Sequence, residues 1–413
     1  MRFAVPLRRL VRAAALTLPV VLSACGGGGG GGTDAPAPTP ATATVATATH
    51  LPAASTLANV CTDDGQKQWV RSYLDENYLW YAQVQDVPAG NYGSPTAYFS
   101  ALLVKSPDAS GQATDRFSTS MSVSAADAMQ GVSSASADPA AAASNPVPIT
   151  KTVTTASGRR VGYVLFNQHS QGAQDALIGA FTQLRTAAVK DLVLDLRYNP
   201  GGFIYVAQAA ASMVAGPSID GLVFESATYN DKRSGDSAGG TFFFSTKVQR
   251  AETKYPVGTA LPQLDLPRVY VLASSYTCSA SESIVNALRG IGIEVILVGQ
   301  RTCGKPYGFT RKDNCGQAYF PIEFRMANAQ GSSDYTNGFP VQCQVQEDPL
   351  SALGSSNEPL LATALKHIET GACPAPSGIQ VARQTMETLF DRPGAPSLAS
   401  PMYQPGFDGR QQP

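Results

Sequence analysis

Four short, nearly uninterrupted apolar runs, separated by segments of helical pattern, constrain the fold of this chain more than any other feature. They occupy residues 160–166, 191–196, 268–273 and 294–299. A strand without polar alternation is one covered on both faces. After the first run, residues 174–188 set Leu177, Ile178, Phe181 and Leu184 at helical spacing, and residues 205–214 and 281–289 also read as helices. Strands and helices in alternation predict an α/β layered core. A further strand or hairpin is expected over 316–325, and a last helix over 359–370, ending at Gly371.

The two ends differ in composition from this core. Arg2, Arg8, Arg9 and Arg12 precede an apolar run over 13–24 that is short for a membrane span. Its end, Leu22-Ser23-Ala24-Cys25, resembles a bacterial lipoprotein signal, which implies that Cys25 is lipid-modified and becomes the first mature residue. The expected order is a signal peptide over 1–24 and a Gly/Ala/Thr/Pro tether over 25–57. A helical region over 58–119 follows, with Trp69, Val70, Tyr73, Leu74, Tyr78, Leu79 and Trp80 as its packing residues. Residues 120–149 read as an Ala/Ser-rich linker, 150–375 as the α/β core, and 376–413 as a poorly ordered tail.

A formal net charge of -1 gives no electrostatic reason to expect nucleic acid. Apart from Cys25 there are six cysteines (Cys61, Cys278, Cys303, Cys315, Cys343 and Cys373), an even number that suits disulfides in an oxidising compartment. None has zinc-ligand spacing, so neither a metal nor another cofactor is expected. Cys278–Cys303 and Cys303–Cys315 are equally plausible pairings.

The chemistry collects where the apolar runs end, as it does in open α/β sheets. Asp195-Leu196-Arg197-Tyr198-Asn199-Pro200-Gly201-Gly202 closes one run, Ser279-Ala280-Ser281-Glu282 follows another, and Gly304-Lys305 follows a third. A serine hydroxyl attacks only once a base removes its proton, and a lysine serves as that base only when burial keeps it neutral. Ser279 is the candidate nucleophile and Lys305, among Gly304, Pro306, Tyr307 and Phe309, the candidate base. The backbone amides of Ala280 and of Gly201 or Gly202 are the candidate donors to an oxyanion. Asp195 and Arg197 read as structural supports of the turn. Taken alone, Ser279 would pass for a helix N-cap and Lys305 for a surface lysine.

These three motifs, in this order, resemble the C-terminal processing peptidases, or tail-specific proteases, a family of serine peptidases. The third motif stands here as Thr302-Cys303-Gly304-Lys305, and Asp115-Arg116-Phe117-Ser118 also fits. The resemblance implies a ClpP/crotonase-like layered core with an N-terminal helical cap, and a Ser279/Lys305 dyad acting on protein or peptide substrates. Together with the lipoprotein signal, it implies an enzyme held at the bacterial cell envelope. Gly26 after Cys25 favours the outer membrane, with the enzyme on its periplasmic face.

Two features depart from the family. About thirty residues fill the place where many members carry a PDZ domain, too few for one. Phe309 stands where many have a glutamine that orients the lysine, leaving Gln317 as a weak substitute. His169 opens a Ser/His alternative, although a partly exposed loop histidine is the expectation for it. A non-catalytic module binding apolar ligands or peptides on the same fold is the other functional reading.

Overall fold

The computed structural model of the chain describes residues 51–130 and 145–374. The expected signal peptide, most of the tether including Cys25, the centre of the Ala/Ser-rich segment and the tail lie outside the described residues.

The apolar runs form the middle of a six-stranded sheet. Its strands are β1 (Ile149–Thr154), β2 (Arg160–Leu165), β3 (Asp191–Asp195), β4 (Arg268–Ala273), β5 (Glu294–Gly299) and β6 (Cys343–Gln344). Their spatial order is β6-β5-β4-β3-β2-β1, and every neighbouring pair is parallel except β1 with β2. Side chains of the inner strands alternate between two cores. Leu192, Leu194, Val271 and Leu297 pack against the helices Ala173–Thr186, Ile204–Val214 and Ala280–Gly290. Val193, Tyr270, Leu272 and Val298 face the helix Pro359–Thr370 through Leu360, Leu361 and Ala364. Coverage of both faces is why the runs carry no polar alternation.

The N-terminal helical region is narrower in its helices than 58–119 suggests. Asp63–Asn77 begins at an N-cap, Thr62, whose hydroxyl accepts from the Gly65 amide, and Pro95–Leu102 begins at Ser94 in the same way. Trp69, Tyr73, Leu74, Tyr78 and Phe99 form a third core with Tyr319 and Ile322. The aromatic spacing therefore reflects packing, as expected.

One sequence expectation needs correction, one is refined, and one sheet was not foreseen. Residues 120–130 are not a linker: Thr119–Ser122 pairs with Gln317–Phe320, and Val123–Gln130 is a helix that buries Ala126 and Met129. A distant strand supplies the backbone partners that local composition could not announce. Residues 316–325 hold the expected strand, Gln317–Phe320, whereas Phe324 begins a second strand, Phe324–Ala327, in a different sheet. The second of these sheets, ordered Thr241–Phe243, Val223–Tyr229, Phe324–Ala327 and Tyr307–Gly308, was not anticipated. Among the described residues there is no PDZ domain, and no helix is long and apolar enough to cross a membrane.

Candidate active site

Four loops leave the carboxyl ends of adjacent parallel strands and converge on one cleft of about 370 Å³. The loop after β2 brings His169, that after β3 brings Gly202, that after β4 brings Ser279 and Ala280, and that after β5 brings Lys305. Phe203, Phe242, Phe309, Phe324 and Met326 make much of the remaining wall apolar.

Ser279 sits at a sharp turn between β4 and the helix Ala280–Gly290, with φ 54° and ψ −119°. Such a conformation costs a non-glycine residue about 1–3 kcal/mol and persists only where its surroundings impose it. The Ser279 carbonyl accepts the Ser283 amide at 2.9 Å, and its own amide donates to Glu282 Oε2 at 3.0 Å. Ser279 is also the N-cap of that helix, but an N-cap role alone has no need of that strain.

Lys305 is 4% exposed, with Nζ 4.4 Å from the Phe309 ring centre and 5.4 Å from that of Phe117. A surface lysine is therefore excluded. Phe309, which replaces an expected glutamine, meets the amine with its aromatic face. Gln317 does not line the cleft; it lies on a strand opposite Ser122. The Asp115-Arg116-Phe117-Ser118 motif braces this loop. Arg116 donates to the carbonyl of Thr336 at 2.8 Å, Asp115 accepts the Phe117 and Ser118 amides, and Phe117 lies beside the amine.

The glycine turn is more specific than its sequence suggested. Gly201 donates its amide to Asn199 Oδ1 at 3.0 Å, so it is not available to an oxyanion. That candidate is withdrawn. The amides of Gly202 and Ala280 have no partner among the described residues and remain as the donors. A Cβ on Gly201 would stand 2.8 Å from Cys278 O, and one on Gly202 2.5 Å from His169 O, at φ 98° and 135°. Only glycine allows the turn to lie this close to the nucleophile.

Asn199 organises the neighbourhood, a role its sequence position did not signal. Its Nδ2 donates to Phe166 O at 2.9 Å, which turns Oδ1 towards Gly201 and towards His169 Nδ1, also at 2.9 Å. With an acceptor there, His169 carries its proton on Nδ1. The backbone carbonyl of Asn199 accepts from the Cys278 amide and from Ser281 Oγ, which gives Ser281 its structural part.

His169 is 1% exposed, contrary to the expected loop histidine, and burial lowers its pKa to about 3. Nε2 is buried without a hydrogen-bond partner among the described residues. The group stays neutral through the physiological range.

Asp195 and Arg197 are both fully buried. Arg197 donates to Asp195 Oδ1 at 2.9 Å and forks onto Glu358 at 2.7 and 2.9 Å, so it ties the end of β3 to the last helix. Their role is structural. The disulfides are Cys278–Cys303, Cys61–Cys315 and Cys343–Cys373, with Cα separations of 5.2, 5.4 and 5.4 Å. The first joins the nucleophile segment to the base segment, and Cys303–Cys315 is not formed.

Comparison with known proteins places these features. The model of peptidase family S41 matches residues 160–314, and that of the peptidase S41 N-terminal domain matches residues 65–119. The chain carries peptidase S41 family domains over these two stretches. A carboxyl-terminal-processing protease of a Picosynechococcus species is 32% identical over 158 residues, which cover 38% of this chain and 32% of that protein. The match thus spans about a third of that relative's length. A chain from Bacteroides fragilis described as an S41 protease superposes with a TM-score of 0.55 at 20% identity, over 73% of this chain and 97% of that one. The second likeness is one of fold. The expected layered α/β core with a helical N-terminal region is the S41 architecture.

Proposed function

We propose that the chain is a serine endopeptidase in which Ser279 is the nucleophile and Lys305 the general base. The observation that carries the reading is the convergence of a strained serine, a buried lysine and two unengaged amides on one cleft. In this account Lys305, in its neutral form, takes the Ser279 hydroxyl proton as Oγ attacks the substrate carbonyl. Charge developing on the carbonyl oxygen meets the Gly202 and Ala280 amides, donors worth about 3–4 kcal/mol each in comparable sites. Lys305 returns the proton to the leaving amine, and water then releases the acyl group from Ser279.

The apolar wall suits substrates with an apolar side chain beside the scissile bond. It would equally suit a carrier of apolar ligands, the second reading. The conformation of Ser279 favours catalysis, because a carrier gains nothing from holding a serine in strain. Cys25, within a lipoprotein-like signal, and the Gly/Ala/Thr/Pro tether support a lipid-anchored enzyme of the bacterial envelope acting on protein or peptide substrates.

Casein cleavage by the protein and by its Ser279→Ala and Lys305→Ala variants tests the dyad. The proposal expects loss of cleavage in both with folding retained. Full activity in Lys305→Ala would remove lysine from the mechanism. If the parent binds apolar probes and cuts nothing, the carrier reading takes its place. The anchor is tested by mass analysis of the mature N-terminus; an unmodified Cys25 in membrane-derived protein would refute it.

A further inference from the structure

Glu282 is wholly buried and has no part in the proton transfers proposed for Ser279 and Lys305. Its carboxylate accepts four hydrogen bonds. Oε2 takes the backbone amides of Ser279 at 3.0 Å and Lys305 at 2.8 Å; Oε1 takes the Gly304 amide at 2.9 Å and the Thr302 hydroxyl at 2.6 Å. Four donors fill the capacity of a carboxylate. A buried carboxylate without such partners would be strongly destabilising, so the four bonds belong together.

A glutamate at the third position of a helix commonly reaches back to the N-cap amide, and the Ser279 bond is of that kind. The other three are not local. They come from residues 302–305, a stretch without regular structure after β5. One backbone bond, from the Cys303 amide to the Thr277 carbonyl at 3.1 Å, ties that stretch to the loop leading into the nucleophile turn, and it reaches neither Ser279 nor Lys305. Two further links join them, the Glu282 carboxylate and the Cys278–Cys303 disulfide. The disulfide joins neighbours of the two candidate catalytic residues, whereas Glu282 bonds to those residues themselves.

We propose that Glu282 is a positioning residue: by taking the Ser279 and Lys305 amides on one oxygen, it sets the separation of nucleophile and base. It touches neither substrate nor reacting atoms. This inference rests on the serine/lysine reading above. A displacement of about 1 Å in such a pair is enough to cost roughly a hundredfold in rate. Glutamine at this position keeps size but turns one oxygen into a donor, and every group around it is already donating. Aspartate keeps the charge and withdraws it by one methylene.

The test compares Glu282→Gln, Glu282→Asp, Ser279→Ala and Lys305→Ala in the whole protein. It measures kcat and KM on a casein-derived peptide, thermal melting, and the rate at which a fluorophosphonate labels Ser279. The expected result for Glu282→Gln is a fall of about a hundredfold in kcat and in labelling rate, with KM within about threefold. Glu282→Asp should fall between it and the parent, with cooperative melting retained. Two results overturn the inference. One is a Glu282→Gln protein that keeps kcat and labelling within threefold of the parent. The other is loss of cooperative melting in both Glu282 variants, which would make the residue a structural one. A parent that is not labelled, or a Lys305→Ala protein labelled as fast as the parent, would instead defeat the serine/lysine reading.

Discussion

The backbone amides of Ser279 and Lys305 meet on one atom, Oε2 of Glu282, at 3.0 and 2.8 Å. Nucleophile and base arrive from the ends of two different strands, yet both refer to this single oxygen. The Cys278–Cys303 disulfide closes the same junction one residue before the nucleophile. Side-chain placement at the site therefore follows from backbone anchoring, with the two segments held by the disulfide, by the Glu282 carboxylate and by the bond from the Cys303 amide to the Thr277 carbonyl at 3.1 Å.

Loss of one link should loosen the pair without unfolding the protein. Replacing both Cys278 and Cys303 by serine is expected to lower kcat about tenfold, equivalent to about 1.4 kcal/mol. Replacing Cys61 and Cys315 removes a bridge of sequence separation 254 remote from the cleft. That pair should cost about 2–4 kcal/mol of stability and leave kcat nearly unchanged. Kinetics and denaturant unfolding of the two variants decide it; equal effects on kcat would contradict the assignment.

His169 predicts a pH dependence of stability. Burial depresses its folded pKa to about 3 from an ordinary 6.5, so the unfolded chain takes up the proton more readily. Its contribution is fully present above about pH 6.5 and is lost as pH falls towards 3. At pH 5 the loss from this group is about 2 kcal/mol. Urea unfolding at pH 8 and pH 5 should show that component in the parent and not in His169→Gln. The same pH response in both proteins would refute it.

Asn199→Ala should be severe for a residue that touches no substrate. It leaves the Gly201 amide and His169 Nδ1–H without their acceptor, at a cost of about 1–3 kcal/mol for each buried donor. The turn that presents Gly202 then loses its brace, so kcat should fall along with stability. Unfolding curves and steady-state kinetics measure both; a neutral substitution would show that Asn199 does not organise the turn.

The central sheet was legible because its strands are buried on both faces and so announce themselves as apolar runs. The sheet containing Val223–Tyr229 was not, because its main partner, Phe324–Ala327, lies far along the chain and its own pattern is mixed. Thr119–Ser122 hid in Ala/Ser-rich sequence for the same reason. At the site, Ser279, Lys305, Gly202 and Ala280 could be named from motif order, and the structure brings all four to one cleft. Gly201 could not be told from Gly202 without knowing where Asn199 points. Glu282 had no legible role of its own in the Ser279-Ala280-Ser281-Glu282 motif, since three of its four bonds come from distant residues. His169 looked exposed because a loop position says nothing of what folds over it.

The most direct test of the account is the site and lysine dependence of fluorophosphonate labelling, read by peptide mass mapping on the intact protein. The account predicts a single adduct on Ser279 in the parent, and labelling at least about a hundredfold slower in a folded Lys305→Ala protein. An adduct on another residue, or a Lys305→Ala protein labelled at the parental rate, would contradict it.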